Sequence, residues 1–222
     1  MFVAPGIDRE TTLDAIRHSF DWSNDLFMQN LPIAVLISGG GTTLHNLIEK
    51  KRAGSLTVDF RLVISSRKDA RGLAFAAEAN IPSQVIRRRD YADPELHSQN
   101  IFEAIRKSGA ALVVMGGYLE HLLIPSDFDH RVMNVHPSLI PAFCGHGMYG
   151  LKVHAAAIDF GVKISGCTVH WVDNQYDHGP IILQRACEVL PDDTPESLQR
   201  RVFALECEAL PDAIRQCAHS VA

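Results

Sequence analysis

The sequence predicts an α/β protein with a mostly parallel, doubly wound sheet that is extended by antiparallel strands in its C-terminal half. From position 32 to position 115, short apolar runs alternate with segments of helical spacing, which is typical of parallel strands joined by helical crossovers. After position 141 the pattern changes to one helix and two strand-like runs around a tight turn, which favours antiparallel pairing. A chain of 222 residues can bury a large core as one such domain.

The first unit predicts a strand, a glycine loop and a helix. Pro32–Ile37 is apolar and rich in β-branched residues, a glycine run follows it, and apolar residues then recur at positions 44, 47 and 48. The next predicted elements are, in order, the strand Val58–Ile64, the helix Ala70–Asn80, the short strand Gln84–Ile86, the helix Pro94–Lys107 and the strand Ala111–Met115.

The C-terminal half predicts two helices around a pair of strands. The last helix is expected to begin after Thr194, because threonine is a common N-cap and Pro195 suits the first helical position. It is expected to run towards Cys217. The elements before it are predicted as the helix Tyr149–Phe160 and the strands Ile164–Val172 and Ile181–Leu190.

Composition excludes several classes of protein. Hydrophobic residues make up 46% and charged residues 21%, as in ordinary globular proteins, and the net charge of -5 argues against a nucleic-acid partner. The two basic runs, Lys50–Arg52 and Arg87–Arg89, are expected to be solvated. The five scattered cysteines predict reduced thiols in a cytoplasmic protein, with neither disulfides nor a structural zinc site.

The first thirty residues lack any long apolar run, so we expect neither a secretory signal nor a membrane anchor there. We treat residues 1–30 as an N-terminal extension and residues 31–222 as a single domain. Within that domain we predict a phosphate-binding half, 31–133, and a catalytic half, 134–222. A homodimer is compatible with this organisation.

The glycine loop predicts a site for a single phosphate. Gly39, Gly40 and Gly41 precede a helix N-terminus whose backbone N–H groups point towards one spot, and the hydroxyls of Thr42 and Thr43 add donors. No lysine follows as in a P-loop, and a leucine occupies the third glycine position of the dinucleotide fingerprint. The competing interpretation is a glycine-rich turn that merely lets strand and helix pack closely. If the loop binds phosphate, Gly41→Val should weaken binding of a phosphate-bearing acceptor.

Three polar side chains predict acyl-type transfer without a metal. Asn134 offers an amide donor, His136 an imidazole and Asp177 a carboxylate, which together can stabilise an oxyanion and move a proton. An Asn-x-His pair before proline is more often a capped turn, and a loop aspartate is usually solvated. Asp173 competes with Asp177 for the carboxylate role, and His170 is expected to be a core histidine on a strand.

Glu206 interrupts an apolar stripe of the last helix, where an unpartnered acid is costly. It is interpreted either as a ligand of sugar hydroxyls or as a side chain that reaches solvent at the edge of the stripe.

Four segments together resemble one enzyme family. Ile37–Leu44, Ser65–Leu73, Asn134–Pro141 and Asp177–Ile182 are similar, in order and spacing, to the phosphoribosylglycinamide formyltransferases of purine synthesis. The resemblance extends from Pro32 to about position 214.

The resemblance implies a Rossmann-like formyltransferase fold that transfers a formyl group from 10-formyltetrahydrofolate to the amine of glycinamide ribonucleotide, with no metal. Asn134, His136 and Asp177 fall on the family's catalytic residues, and Glu206 falls on its ribose-binding glutamate. The phosphate loop of the family falls on Gly39, Gly40, Gly41, Thr42 and Thr43.

On the folate side, the resemblance assigns Asn134, Asp173 and the segment Leu119, Glu120, His121 and Leu122. This segment departs from the family, where Arg-Ile commonly stands in place of Glu120-His121, and Arg87–Arg89 are candidates for the folate carboxylates instead. The segment Cys144–Gly150 also replaces a shorter connection.

Other functions stay open at this point. A formyltetrahydrofolate hydrolase and an amino-sugar-nucleotide formyltransferase would share the Asn-x-His and Asp residues. A tRNA formyltransferase is disfavoured because no basic C-terminal region is present. A non-catalytic nucleotide-binding homologue is the alternative that is not an enzyme.

Overall fold

A computed structural model describes residues 30–219 of the chain. The predicted N-terminal extension, apart from its last residue, lies outside the described residues. The division of the domain at position 133 stays a prediction, because one continuous sheet runs through both parts.

The sheet has seven strands in the spatial order β3-β2-β1-β4-β5-β6-β7. The strands β1 to β5 pair in parallel, whereas β6 and β7 are antiparallel, as the sequence predicts. The strands are β1 Leu31–Ile37, β2 Val58–Ser65, β3 Ser83–Val85, β4 Leu112–Met115, β5 Val132–His136, β6 Ile164–Trp171 and β7 Ile181–Glu188.

Five helices pack on this sheet within the described chain. They are α1 Thr42–Arg52, α2 Gly72–Glu78, α3 Pro94–Ser108, α4 Leu151–Phe160 and α5 Pro195–His219. Two apolar clusters fill the two faces, one beneath α1 and α5 and the other beneath α3. No helix in the described residues is long and apolar enough to span a bilayer.

The predicted elements differ from the structure mainly at their ends. The helix predicted over Ala70–Asn80 is shorter, and Asn80, two residues beyond its end, has a left-handed φ of 56°. The strand β5 has no counterpart among the predicted elements.

The strands β2 and β3 lie on one side of β1, whereas β4 lies on its other side, next to β1. The order in which the strands are added to the sheet therefore reverses between β1 and β4. In open parallel sheets, ligands bind at the carboxyl ends of the strands at such a switch point. Here the loop after β1 and the loop after β4 are joined by a bond from the Leu119 backbone N–H to the Ser38 hydroxyl, 2.9 Å. This edge of the sheet therefore holds both loops in place.

Candidate active site

The strand β5 ends at the switch-point edge and carries two of the predicted site residues on one face. Asn134 is half-buried and His136 is 3% exposed. Residues two apart on a strand point the same way, so the amide and the imidazole face a common space. Across the strand pair, Asn134 lies opposite His170 and His136 lies opposite Thr168.

Both ring nitrogens of His136 have defined neighbours. Its Nε2 lies 2.9 Å from the carbonyl oxygen of Phe143, and since a carbonyl only accepts, Nε2 must carry a hydrogen. Its Nδ1 lies 3.4 Å from Oδ2 of Asp177. Nδ1 is therefore the ring nitrogen that is not engaged by the backbone, and the Asp177 carboxylate lies beside it.

Asp177 is held in an unusual backbone conformation by the loop that precedes α4. Its φ is 50°, and its Oδ2 accepts a 2.8 Å hydrogen bond from the backbone N–H of Gly145. Phe143, the carbonyl partner of His136, also has a left-handed φ, 49°. Residues held in such conformations cluster at functional sites, where surrounding contacts fix them. The segment Cys144–Gly150 thus fixes one neighbour of the imidazole, Asp177, and directly follows the other, Phe143.

His170 belongs to the same cluster, although the sequence favoured a core histidine over a residue that supports the site. It is 1% exposed, and burial lowers its pKa. Its Nδ1 lies 2.8 Å from the carbonyl oxygen of Trp171, so Nδ1 carries the hydrogen and a neutral Nε2 accepts from Asn134 Nδ2 at 3.3 Å. The same Nε2 lies 3.7 Å from Asp177 Oδ1. His170 therefore orients the Asn134 amide. The position of His170 among the apolar residues of its strand did not indicate this contact.

A cavity of about 450 Å³ opens in front of these residues. Thr42 and Thr43 lie on its wall together with Asn134, His136 and Asp177. It is also lined by Gly117, Tyr118, Leu119, Gly145, Met148, His154, Tyr176, Gln199, Arg200, Phe203 and Glu206.

A second, smaller pocket of about 80 Å³ adjoins the first. All six residues predicted for the folate side line it: Leu119, Glu120, His121, Leu122, Asn134 and Asp173. Asn134 and Asp177 line both pockets. A group bound in one pocket could therefore meet a group bound in the other at these two side chains.

The glycine loop places the start of α1 at the large cavity. The N-cap residue is Gly41, with φ 69°, and the first turn has neither a capping side chain nor an acidic residue. The first backbone N–H groups of α1 have no acceptor within the helix and can therefore bind an anion. Gly39 and Gly40 are exposed and do not line the cavity, whereas Gly41 is buried against Gly72.

Glu206 faces the cavity from α5 and has no hydrogen-bond or ion-pair partner within residues 30–219. Burial raises its pKa to about 8 from an ordinary value of 4.5. The carboxyl is therefore protonated at neutral pH and can both donate and accept hydrogen bonds.

Glu206→Gln should change how stability depends on pH. The pKa of Glu206 is about 8 in the folded protein and about 4.5 in the unfolded chain. Between these two pH values only the unfolded chain ionises, so the free energy of unfolding of the wild type falls as the pH rises through this window. The variant lacks this loss, so its free energy of unfolding relative to wild type should rise across that window. Urea unfolding at several pH values measures the difference, with the exposed Glu78→Gln as control. A constant difference would contradict the raised pKa.

The residues around the smaller pocket are partly engaged with one another. The Asp173 carboxylate contacts His178 Nδ1 at 2.7 Å and accepts from the Gln175 N–H at 2.8 Å. The ring of Tyr176 lies between those of His121 and His146, with centroid distances of 4.8 and 5.3 Å.

The basic run at positions 87–89 is held by contacts within its own segment. Arg87 pairs with Asp90 at 2.7 Å, and Arg88 donates to the Tyr91 carbonyl at 2.8 Å. Neither these two residues nor Arg89 lines either pocket. A role for this run in binding the folate carboxylates stays a prediction.

Two buried polar groups at the large cavity were not singled out as site residues from the sequence. Neither the Tyr118 hydroxyl nor His154 Nδ1 has a hydrogen-bond partner among residues 30–219. Burial raises the pKa of Tyr118 and lowers that of His154. Within the described residues, no group of three or more His, Cys, Asp or Glu side chains is arranged to hold a metal ion.

Comparison with known proteins places this arrangement in a family. The model of the formyl transferase family matches residues 31–214. The chain belongs to the formyl transferase family. The residues that line the two pockets all lie within the matched region.

Relatives of this chain include formyltransferases named for phosphoribosylglycinamide. A chloroplastic phosphoribosylglycinamide formyltransferase of Arabidopsis thaliana is 39% identical over 177 residues, covering 77% of this chain and 60% of that protein. A phosphoribosylglycinamide formyltransferase of Haemophilus influenzae is 33% identical over 186 residues, covering 82% of this chain and 85% of that protein. The chain thus spans 60% of the length of the Arabidopsis relative.

A solved structure shares the fold. The crystal structure of glycinamide ribonucleotide transformylase 1 from Symbiobacterium toebii has a TM-score of 0.81 and 38% sequence identity. The match covers 88% of this chain and 92% of that one. The predicted formyltransferase fold is confirmed.

Proposed function

We propose that this formyl transferase moves a formyl group from 10-formyltetrahydrofolate to the amine of glycinamide ribonucleotide in purine biosynthesis. The observation that carries the proposal is that Asn134 and Asp177 are shared by two adjoining pockets, one of which begins at a free helix N-terminus. Such a layout suits two substrates that react where the pockets meet. The relatives from Arabidopsis and Haemophilus support the choice of substrate class.

The large cavity suits the acceptor. A phosphate ester would bind at the first turn of α1, where backbone N–H groups and the Thr42 and Thr43 hydroxyls are available. Glu206, protonated at neutral pH, would exchange hydrogen bonds with the ribose hydroxyls. The amine would then extend towards Asn134, His136 and Asp177.

The smaller pocket suits the pterin end of the formyl donor. Its wall combines the apolar residues Met115 and Val172 with the segment Leu119–Leu122 and with the loop that contains Asp173. The formyl group, attached between the pterin and the tail, would then project towards Asn134. His121 and Tyr176 supply aromatic contacts on the outer side.

In the proposed reaction the amine nitrogen attacks the formyl carbon directly and forms a tetrahedral intermediate. The Asn134 amide, oriented by His170, and a hydrogen on His136 Nδ1 stabilise the oxyanion. The proton lost by the amine passes, with Asp177 as the relay, to the folate nitrogen as the carbon–nitrogen bond to the donor breaks. Holding amine and formyl group together contributes roughly 7 to 11 kcal/mol.

Two other enzymes would use the same central residues. A formyltetrahydrofolate hydrolase would place water where the amine lies, and an amino-sugar-nucleotide formyltransferase would fill the large cavity with a different acceptor. The free N-terminus of α1 and the unpartnered Glu206 in one cavity favour a phosphorylated sugar as acceptor over water. A non-catalytic homologue would not require the defined contacts around His136.

The proposal is tested with purified protein, glycinamide ribonucleotide and 10-formyltetrahydrofolate. We expect formylated ribonucleotide and tetrahydrofolate to form in equal amounts without added metal, because no step of the proposed mechanism needs one. Chromatographic quantification of both products measures this. Omitting the acceptor is the control, and rapid release of formate in its absence would indicate the hydrolase instead.

A further inference from the structure

The helix α5 presents a short row of side chains to the large cavity. Gln199, Arg200, Phe203 and Glu206 all line it. Spacings of three and four residues keep these positions on one helical face. Arg200 stands six positions before Glu206, which places its backbone about 9 Å nearer the start of the helix.

Contacts between helices place that end of the row beside the start of α1. The Asn46 amide donates to the Cys207 carbonyl at 2.8 Å, and Lys50 pairs with Glu208 at 2.6 Å. One turn before Asn46 are Thr42 and Thr43, and one turn before Cys207 is Phe203, and all three line the cavity. Arg200 lies about one further turn towards the start of α5. This is the direction in which the free N–H groups of α1 point.

Arg200 differs from the arginine next to it. The Arg201 guanidinium donates to the Asp193 carboxylate at 2.6 and 2.9 Å and to the Glu188 carbonyl at 3.0 Å. Arg200 is exposed and forms neither an ion pair nor a hydrogen bond within residues 30–219. Arg201 therefore fixes the helix to the loop before it, while the guanidinium of Arg200 stays available at the cavity.

We propose that Arg200 binds the phosphate ester of the acceptor together with the N-terminus of α1, and so sets the preference for a phosphorylated over a dephosphorylated acceptor. This inference rests on the proposed function, because that function supplies the acceptor. No sequence pattern indicated it, since Arg200 stands in an ordinary polar stretch of the last helix.

The charges in the cavity favour such a contact. A helix N-terminus contributes about half a positive charge, which leaves much of a phosphate dianion unbalanced. A guanidinium binds phosphate through two parallel hydrogen bonds, which adds geometry as well as charge. The carboxyl of Glu206 does not compete, because its raised pKa of about 8 keeps it neutral at pH 7.

The test compares two acceptors, glycinamide ribonucleotide and the riboside that lacks its phosphate. For Arg200→Gln we expect the KM of the ribonucleotide to rise roughly tenfold, because a charge-assisted contact at a partly exposed site is lost. The kcat should stay near wild type, and the kcat/KM of the riboside should not change. Arg200→Lys should recover part of the loss. Arg61→Gln, which removes the same charge from an ion pair with Asp59 outside the cavity, is the matched control.

An equal effect of Arg200→Gln on both acceptors, or no effect on either, would overturn the assignment. Binding of ribose 5-phosphate and of ribose, measured by calorimetry, separates this result from failure of the proposed function. If wild-type protein binds ribose 5-phosphate more tightly than ribose and Arg200→Gln abolishes the difference, the contact stands even when no formyl transfer is found. If the difference survives the substitution, the contact is refuted even in an active enzyme.

Discussion

Asp177→Asn is expected to lower kcat by about 10²- to 10⁴-fold, the range typical of a lost acid–base group. The amide oxygen can still accept from the Gly145 N–H, so the turn and both pockets should keep their shape. What disappears is the carboxylate that lies 3.4 Å from His136 Nδ1. Without it, the proton of the attacking amine has no relay, and a positive charge on the imidazole has no neighbour of opposite sign.

Steady-state kinetics with both substrates measures this effect, and the KM values should change far less than kcat. Asp129→Asn is the matched control, because Asp129 lies 3.1 Å from His130 in a histidine–carboxylate pair that lines neither pocket. A kcat for Asp177→Asn within a few-fold of wild type would refute the proton-handling role. His136→Ala is expected to abolish turnover by removing Nδ1 itself.

Gly41→Val should produce the largest loss of stability among single changes at the phosphate loop. A Cβ at this position would lie 2.3 Å from Gly72 Cα and 2.9 Å from its backbone nitrogen, so backbone must move. The φ of 69° is also a conformation that valine rarely adopts. Left-handed strain and overpacking each cost about 1 to 3 kcal/mol, and together they predict a loss of roughly 2 to 6 kcal/mol.

Urea unfolding measures this loss, and Gly40→Ala provides the comparison within the same loop. Nothing lies within 4 Å of a Cβ at Gly40, and its φ is not left-handed, so alanine should change stability by less than about 0.5 kcal/mol. Equal stability of the two variants would contradict the close approach of Gly41 to Gly72. Because Gly41→Val disturbs packing, it cannot isolate phosphate binding as the sequence suggested, and Arg200→Gln is the sharper probe.

The glycine loop shows where sequence and structure each contribute. The run of three glycines before a helix predicted both a phosphate site and close packing, and the spacing alone could not choose between them. In the structure Gly41 packs against Gly72, while the first turn of α1 opens to the cavity through Thr42 and Thr43. The close packing of strand and helix is confirmed, whereas the phosphate site stays a prediction. The two interpretations do not exclude each other, because they concern different atoms of the loop.

The histidines show what a linear pattern hides. His136 was singled out by its neighbours Asn134 and Pro137, whereas His170 resembled a core residue and His154 was not singled out as a site residue. The antiparallel pairing of β5 with β6 sets His170 opposite Asn134, and the packing of α4 buries His154 at the cavity. These are long-range contacts. The alternation of residues within one segment does not indicate which strand will pair with it.

The sequence by itself determined the alternation of strands and helices, the glycine loop, and the residue types that the proposed formyl transfer uses, because these follow from local periodicity and motif. Only the tertiary structure decided which side chains share a space. It joined Asn134, Asp177 and His170, left Arg87–Arg89 outside both pockets, and set Arg200 at the rim of the larger one. Contact across a sheet depends on strand order and register, which no single segment specifies.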